Sequence, residues 1–356
     1  MPYEAGEAFE PAAGRGAGHP ARKGLGLEPV WLDCPDALVL DRETGRWALV
    51  GEPGPTAACV GELRGEVSGD YSLSRPAPAS GREAYERAVT RVLEYIRAGD
   101  VYQVNVAHAL EAAFRGDARA LAADLIGRAQ PRCGAYLEWD EGATRRALVS
   151  LSPEVFLRVQ GGEITTVPMK GTRPQGDVHE AELRGSGKDR AELAMIVDLM
   201  RNDLGRVCEL GSVRVGEPRR IEQHGPPERG VHQAVAEVAG TARTGLTWGE
   251  LLREVFPAGS VTGAPKIRAM QIIRELEARE RGFYCGAIGF LSRGCGELSV
   301  AIRTAQIEGV PLEGGLGRMR GTLAYGVGAG IVAESEPGAE WAETLVKARV
   351  LGEGTG

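Results

Sequence analysis

Arg146-Ala-Leu-Val-Ser150, Glu154-Val-Phe-Leu-Arg-Val159 and Ile164-Thr-Thr-Val-Pro-Met169 decide the fold class. They are short apolar or alternating runs separated by Gly and Pro, which is the pattern of strands. The pattern extends outward to Val101–Leu110 and Ala135–Trp139, so residues 101 to about 175 read as a sheet of antiparallel character. On the N-terminal side, Ser80-Gly-Arg-Glu83 reads as a capping box opening a helix through Tyr85, Val89, Val92 and Ile96 to Gly99. Further upstream, Val30–Val50 reads as a hairpin split by Asp-Arg-Glu-Thr-Gly, and the Gly/Ala/Pro-rich stretch to about Gly26 as loop. On the C-terminal side the pattern predicts a long helix over Lys188–Leu204, a strand at Val213–Val215, a helix around His232, and a helix from Pro265 to Gly282. Strand pairs over Phe283–Ser292 and Glu297–Gln306 precede a last helix, Ala339–Leu351. Strands interrupted by helices without regular βαβ alternation predict an α+β protein, with helices covering the outside of stacked sheets. Residues 1–79 form an N-terminal segment and 80–356 the main domain.

A chain of 356 residues with 43% hydrophobic content buries a large core. Its net charge of -7 and pI near 5.5 argue against a nucleic-acid surface, which draws on clustered Lys and Arg. The cysteines at 34, 59, 133, 208, 285 and 295 are scattered without a CxxC, so they read as thiols in a reducing cytoplasm. No stretch has the apolar length to span a membrane.

Within Lys188–Leu204 the apolar stripe is Leu193, Ile196, Val197, Met200 and Leu204, and Asp189 and Glu192 lie on or beside it at about 100° per residue. These carboxylates are aimed inward. Taken alone they are explained by the positive N-terminus of a helix. In the last helix Glu340, Glu343 and Lys347 share a face, which alone is an ordinary surface ion pair. Together the two sets offer the all-oxygen donors that Mg²⁺ prefers. Met169-Lys-Gly-Thr172, Ser260–Lys266 and Gly326-Val-Gly-Ala-Gly330 present Gly-rich backbone that suits an anion, although such loops are commonly plain turns. The last of them lacks the strand-turn-helix setting of a dinucleotide loop. There is no Gly-x-Ser-x-Gly, and Cys133 sits in Pro-Arg-Cys-Gly, not in the Gly-x-Cys-x-Gly of a class I glutaminase.

Eight segments in order resemble the chorismate-utilising enzymes: Gly99–Val106, Ser152-Pro-Glu154, Val167–Pro174, Lys188–Arg206, Phe256–Ile267, Tyr284–Gly289, Ala301–Thr304 and Gly328–Arg349. The resemblance implies a catalytic domain of two orthogonally packed antiparallel β-sheets with helices on the outside, preceded by a shortened N-terminal segment. It implies that Glu192 and Glu343 hold Mg²⁺, with Asp189 and Glu340 beside them. Arg303, Tyr284, Lys347 and the Gly328 amide would hold the enolpyruvyl carboxylate of chorismate, and His232, Thr262, Gly171 and Thr172 match further site positions. Glu154 resembles the general acid for the departing C4 hydroxyl.

Two positions separate branches of the family. Isochorismate and salicylate synthases carry a water-activating lysine where this chain has Gln103, and anthranilate synthases usually carry Ala where it has Lys170. Aminodeoxychorismate synthases usually carry Lys there. The resemblance therefore implies amination of chorismate to 4-amino-4-deoxychorismate, with Lys170 attacking C2 and ammonia attacking C4. The ammonia would come from a glutamine amidotransferase partner, and the product would feed p-aminobenzoate and folate or a secondary metabolite. Anthranilate synthase is the neighbouring alternative. An inactive regulatory paralogue is disfavoured, because inward-facing charges cost stability where no ligand needs them.

Overall fold

The computed structural model describes residues 1–9, 29–30, 36–41, 46–51, 69–226, 230–315 and 317–352. Among these, an eight-stranded sheet is built around Gln103–Asp117, which pairs with Arg318–Ile331 over fourteen registered positions from Arg318↔Asp117 to Ile331↔Val104. Thr304–Pro311, Thr144–Ser152 and Cys133–Glu141 extend the sheet on one side, and Gly263–Ala264 closes the other. A six-stranded sheet holds Val155–Gln160, Glu163–Val167, Val238–Thr241, Arg214–Val215, Cys295–Val300 and Ala287–Ser292, all antiparallel. A three-stranded sheet joins Met169–Pro174, Val231–Val235 and Arg220–His224. The α+β class with stacked antiparallel sheets and outer helices is the fold observed.

The main core lies where the helices meet both large sheets. Val89 and Val92, Leu193, Ile196 and Met200, and Ile272 and Ile273 pack with Val104, Val106, Leu157 and Ile331. A second cluster of Phe114, Leu121, Leu125, Leu151 and Tyr325 seats the helix Ala118–Ala129 on the large sheet. At ~25 cal/mol per Å² of apolar surface removed from water, such clusters dominate the stability of the fold.

Several local readings differ. The capping box at Ser80 is not formed: the helix Arg82–Arg97 has Gly81 at its N-cap and no side-chain cap. A reciprocal box occurs instead at Thr247 and Glu250, opening the helix Trp248–Val255. His232 lies in a strand, because Val231–Val235 is hydrogen-bonded on both edges and this pairing overrides the local helical reading. The helix after Pro265 spans Lys266–Leu276, and the chain then turns out at Glu277, whose carboxylate holds Arg281 at 2.6 and 2.9 Å. The Gly326–Gly330 segment is not a loop but the end of the Arg318–Ile331 strand.

At the N-terminus, loop was expected to Gly26. Residues 5–9 instead form a short helix, and Tyr3 is buried beneath the Arg281 guanidinium, 4.4 Å from the ring centroid. Residues 10–26 of that expectation lie outside the described residues. The hairpin expected over Val30–Val50 appears as the strands Asp36–Asp41 and Arg46–Gly51, its turn being outside the described residues. The long helix runs Gly187–Gly205 and the last helix Pro337–Ala348.

Candidate active site

Gln103 and Asn105 are two residues apart on one strand, so their side chains share a face of the large sheet. On the neighbouring strand Gly330 opposes Asn105, and Gly328 opposes Ala107. The absence of side chains there is used. A Cβ at Gly330 would lie 2.9 Å from Gln103 Nε2 and 3.0 Å from Lys170 Nζ, and one at Gly328 would lie 3.0 Å from Asn105 Oδ1. Lys170 reaches this point from the Met169–Pro174 strand, whose register shifts between Lys170 and Thr172. Gly171 makes that bulge with a φ of +73°, and it lets Leu183 and Asp189 approach to where its Cβ would clash.

The Lys170 side chain is 13% exposed, and a carboxylate oxygen of Glu192, Oε2, lies 4.0 Å from its amine. Burial lowers its pKa; Glu192 opposes this and the charge on Lys347 adds to it. Glu154 is 4% exposed and accepts a hydrogen bond from Ser260 Oγ at 2.6 Å. Burial pushes its carboxyl up to about 7, against the hydrogen bond from Ser260 and the charge of Lys170. The site thus places a proton-bearing acid and an amine inclined to lose its proton within electrostatic reach of each other.

Two helices supply the acids. Ser186 caps the helix Gly187–Gly205, accepting from the Asp189 amide at 3.1 Å, and fixes its first turn. Asp189 pairs with Arg173 at 3.0 Å, and Glu192 lies between Lys170 and Lys188, the latter at 3.9 Å. From the last helix, Glu340 accepts from Ser335 Oγ at 2.6 Å, and Glu343 pairs with Lys347 at 2.9 Å. Burial raises the carboxyls of Glu192 and Glu340, and neighbouring acids add to it: Asp189 and Glu340 for the first, Glu343 for the second. Burial also pushes Glu343 up, but Lys347 outweighs it and the net shift is downward. Among the described residues no three acids stand close enough to enclose an ion. The donor set is nevertheless all oxygen and mutually repelling, which suits a hard divalent cation that keeps waters and takes one or two carboxylates.

Lys347 Nζ donates to Gly328 O at 2.7 Å, while the amide of Ala107, opposite Gly328, donates to Glu277 at 2.9 Å. Gly328 is therefore a non-hydrogen-bonded pair in the ladder. Its N–H points with its carbonyl toward the Lys347 side, where, among the described residues, the register with the next strand ends at Tyr325. An unpaired amide beside an ammonium is a carboxylate-binding arrangement.

A family model described as chorismate binding enzyme matches residues 1–353. The chain belongs to the chorismate-binding enzyme family. Among its relatives, aminodeoxychorismate synthase component 1 of Klebsiella aerogenes is 39% identical over 87% of this chain and 67% of that protein. The protein of the same name from Escherichia coli is 42% identical over 75% of this chain, a match that spans 56% of its own length. Among solved structures, anthranilate synthase component I of Streptococcus pneumoniae superposes with a TM-score of 0.80 at 27% identity, covering 99% of this chain and 79% of that one.

Within this chorismate-binding enzyme the expected site residues separate into groups. Lys170, Glu154, Gln103, Glu192, Glu340, Glu343, Lys347 and Gly328 converge as described. Tyr284 is buried with its ring filling the space over Gly326. Arg303 lies in the left-handed region at φ +51°, its charge felt by His224 and Tyr325, and no hydrogen bond or ion pair holds its guanidinium among the described residues. The Thr262 hydroxyl donates to Ala258 O and Gly259 O at 3.2 Å and so closes its own turn. The Ser260–Lys266 segment does not turn its groups to an anion, because the Val261 and Thr262 amides are used within the turn and Lys266 pairs with Asp203.

His232 lies two residues from Ala234, which opposes Lys170, so His232 shares the face of Lys170. It opposes Arg173 and accepts from the Gly176 amide at 3.1 Å, whereas Gln233 opposes Thr172 and donates to its hydroxyl at 3.2 Å. Alternation along the strand puts the two on opposite faces, with Gln233 beside Thr172. Asn105, Ser260 and Gly330 adjoin these groups and were not singled out individually from the sequence. Only strand pairing across distant segments reveals them.

Proposed function

We propose that the chain aminates chorismate to 4-amino-4-deoxychorismate, as the component 1 relatives are named for doing. The observation that carries this reading is the buried Lys170 amine, 4.0 Å from Glu192 and at the same Gly330 gap as Gln103. An amine with lowered pKa is a nucleophile, and a buried acid near pH 7 is a proton donor. Neutral Lys170 attacks C2 as Glu154 protonates the C4 hydroxyl, which leaves as water and gives a positively charged secondary-amine adduct. Ammonia then attacks C4, the C2–Nζ bond breaks, and its electron pair returns to Lys170 as the free amine. The ammonium formed at C4 gives a proton back to the Glu154 carboxylate, leaving the 4-amino product and the acid ready for the next turnover. Gln103 has no basic nitrogen, which disfavours attack by water.

Arg303, Tyr284, Lys347 and the Gly328 amide hold the enolpyruvyl carboxylate, with His232, Thr262, Gly171 and Thr172 at further site positions. Glu192 and Glu343 hold Mg²⁺, with Asp189 and Glu340 beside them. When bound, the ion supplies positive charge to the ring carboxylate in an acidic site. The chain has no class I glutaminase motif, so a glutamine amidotransferase partner in the cytoplasm supplies ammonia. The test is product identification after incubation with chorismate, Mg²⁺ and an ammonium salt, for the parent and for Lys170→Ala. Anthranilate as the sole product overturns the reading, and undiminished activity in Lys170→Ala removes its covalent step.

A further inference from the structure

The helices Asp177–Gly185 and Gly187–Gly205 meet at a corner made by Ser186. Against that corner lies a cavity of about 250 Å³ lined by Arg184, Arg190, Arg219 and Ile221, and the scheme above uses none of these residues. Arg184 pairs with Glu180, whose Oε1 lies 2.9 Å from Nε and 2.6 Å from Nη2. Arg219 donates from Nη1 to Arg184 O at 3.0 Å and from Nη2 to Leu183 O, so two of its donors close the last turn of the first helix. Arg190 also reaches Arg184 O, at 3.4 Å. The Arg219 Nε is left buried with no acceptor among the described residues. A buried donor without a partner is costly, and it marks a place where an acceptor comes from outside. Burial lowers the pKa of Arg219, and the charges of Arg190 and Arg184 lower it further against the pull of Asp189. Three like charges round one cavity repel one another until an anion enters. Glu180 offsets one of the three, and Asp189 is already held by Arg173 at 3.0 Å, so two positive charges remain for a ligand.

We propose that this cavity binds a phosphate-type dianion, either inorganic phosphate or a phosphate monoester, on Arg184, Arg190 and Arg219. Each guanidinium presents a planar fork of donors that fits two oxygens of such a group, and the Arg219 Nε gains the acceptor it lacks. Ile221 gives the cavity one apolar wall, which suits the carbon side of an ester. The cavity residues are none of those assigned to chorismate, yet two contacts join them to Lys170. Ile221 is in register with Ala234, and Ala234 with Lys170. Leu183, whose carbonyl Arg219 holds, comes to where a Cβ on the Gly171 bulge would clash. An anion on Arg219 therefore steadies the corner against which that bulge rests. The inference goes beyond the amination reading and does not depend on it.

The test is calorimetric titration of potassium phosphate and of glycerol phosphate, without Mg²⁺ or chorismate, into the parent, Arg190→Gln, Arg219→Gln and Arg303→Gln. Potassium chloride at matched ionic strength is the blank. Saturable one-site binding is expected in the parent. It should weaken by about tenfold or more in Arg190→Gln and Arg219→Gln, each of which loses a charge-assisted hydrogen bond, and stay unchanged in Arg303→Gln. Within that pattern, a tighter monoester shows that Ile221 covers its carbon, and equal or tighter inorganic phosphate shows that the phosphoryl group alone is read. No saturable heat with either ligand overturns the proposal. So does equal binding in the parent and both cavity variants, or a loss confined to Arg303→Gln, which would put the anion in the chorismate site. Should Arg219→Gln lose its fold once the Leu183 and Arg184 carbonyls are released, the exposed Arg190 carries the comparison through Arg190→Gln. Neither ligand nor readout involves chorismate or ammonia, so failure here leaves the amination reading standing, and failure of that reading leaves this site standing.

Discussion

Replacing Gly330 by Ala is the sharpest perturbation the geometry offers. The added Cβ would lie 2.9 Å from Gln103 Nε2 and 3.0 Å from Lys170 Nζ, whereas ordinary contact begins at 3.4 Å. Both tips must retreat by about 0.5–1 Å, and a misplacement of ~1 Å at a reacting group costs roughly 10²-fold in rate. Both neighbours are ends of flexible side chains, and Ala is no worse than Gly in a strand, so the fold is expected to survive. The expected result is a kcat lower by about 10²-fold with a melting temperature close to that of the parent. Gly321→Ala is the contrast: its Cβ would come within 1.9 Å of the Glu308 carbonyl, a backbone collision that is expected to destabilise the sheet. Rates of 4-amino-4-deoxychorismate formation and thermal melts on the three proteins decide the matter. Parental kcat in Gly330→Ala, or a loss that merely follows a melting drop as large as that of Gly321→Ala, would refute the placement of Lys170.

Ser260→Ala removes the hydrogen bond that holds Glu154 down, so the limb of kcat/KM that needs the protonated acid should move to higher pH; a shift to lower pH contradicts the role of Ser260. Glu154→Gln should lower kcat by roughly 10²–10⁴-fold. It should also flatten the pH dependence of stability. A carboxyl raised from 4.5 to about 7 by folding is protonated in the native state and ionised in the unfolded one, so parental stability falls as pH rises through that window and the variant lacks this slope in urea titrations. Arg281→Met leaves Glu277 buried and unpaired and should cost roughly 3–5 kcal/mol, read as a lower denaturation midpoint; a change below about 1 kcal/mol means the pair is dispensable.

What the sequence made legible was local. The inward acids of Gly187–Gly205 follow from a 3.6-residue period that needs no partner to be recognised, and Asp189 is indeed 8% exposed. The strands over 133–174 were readable for the same reason, since alternation and punctuation by Gly and Pro are properties of the segment itself. Failures came where a remote segment sets the conformation. Val231-His-Gln-Ala-Val235 has no decisive period, and its two strand partners fix both its extended form and which of His232 and Gln233 faces Thr172. Gly326–Gly330 has the composition of a loop, yet glycine is required there to admit the tips of Gln103, Asn105, Lys170 and the Tyr284 ring from other elements. A glycine in a strand says that something comes close; it does not say what.

The acid Glu154 and the strand of Gln103 and Asn105 are joined through Arg281. Arg281 donates to Val261 O at 2.8 Å and to Asn105 O at 2.9 Å, while its partner Glu277 accepts from the Ala107 amide. One buried guanidinium thus ties the turn that carries Ser260, and through it Glu154, to the strand that carries Gln103 and Asn105. The Asn105 amide donating to Thr262 O at 2.7 Å doubles the tie. Tyr3 covers this guanidinium from behind, so residues 1–9 close the frame that sets the spacing of the site without touching its face. A proton donor and a strand of buried carboxamides drawn from segments about fifty residues apart, and a turn at Ser260 farther still, need such a cross-member. Without it their separation would vary with every breathing motion of the two sheets, and the geometric requirement on proton transfer and attack would not be met.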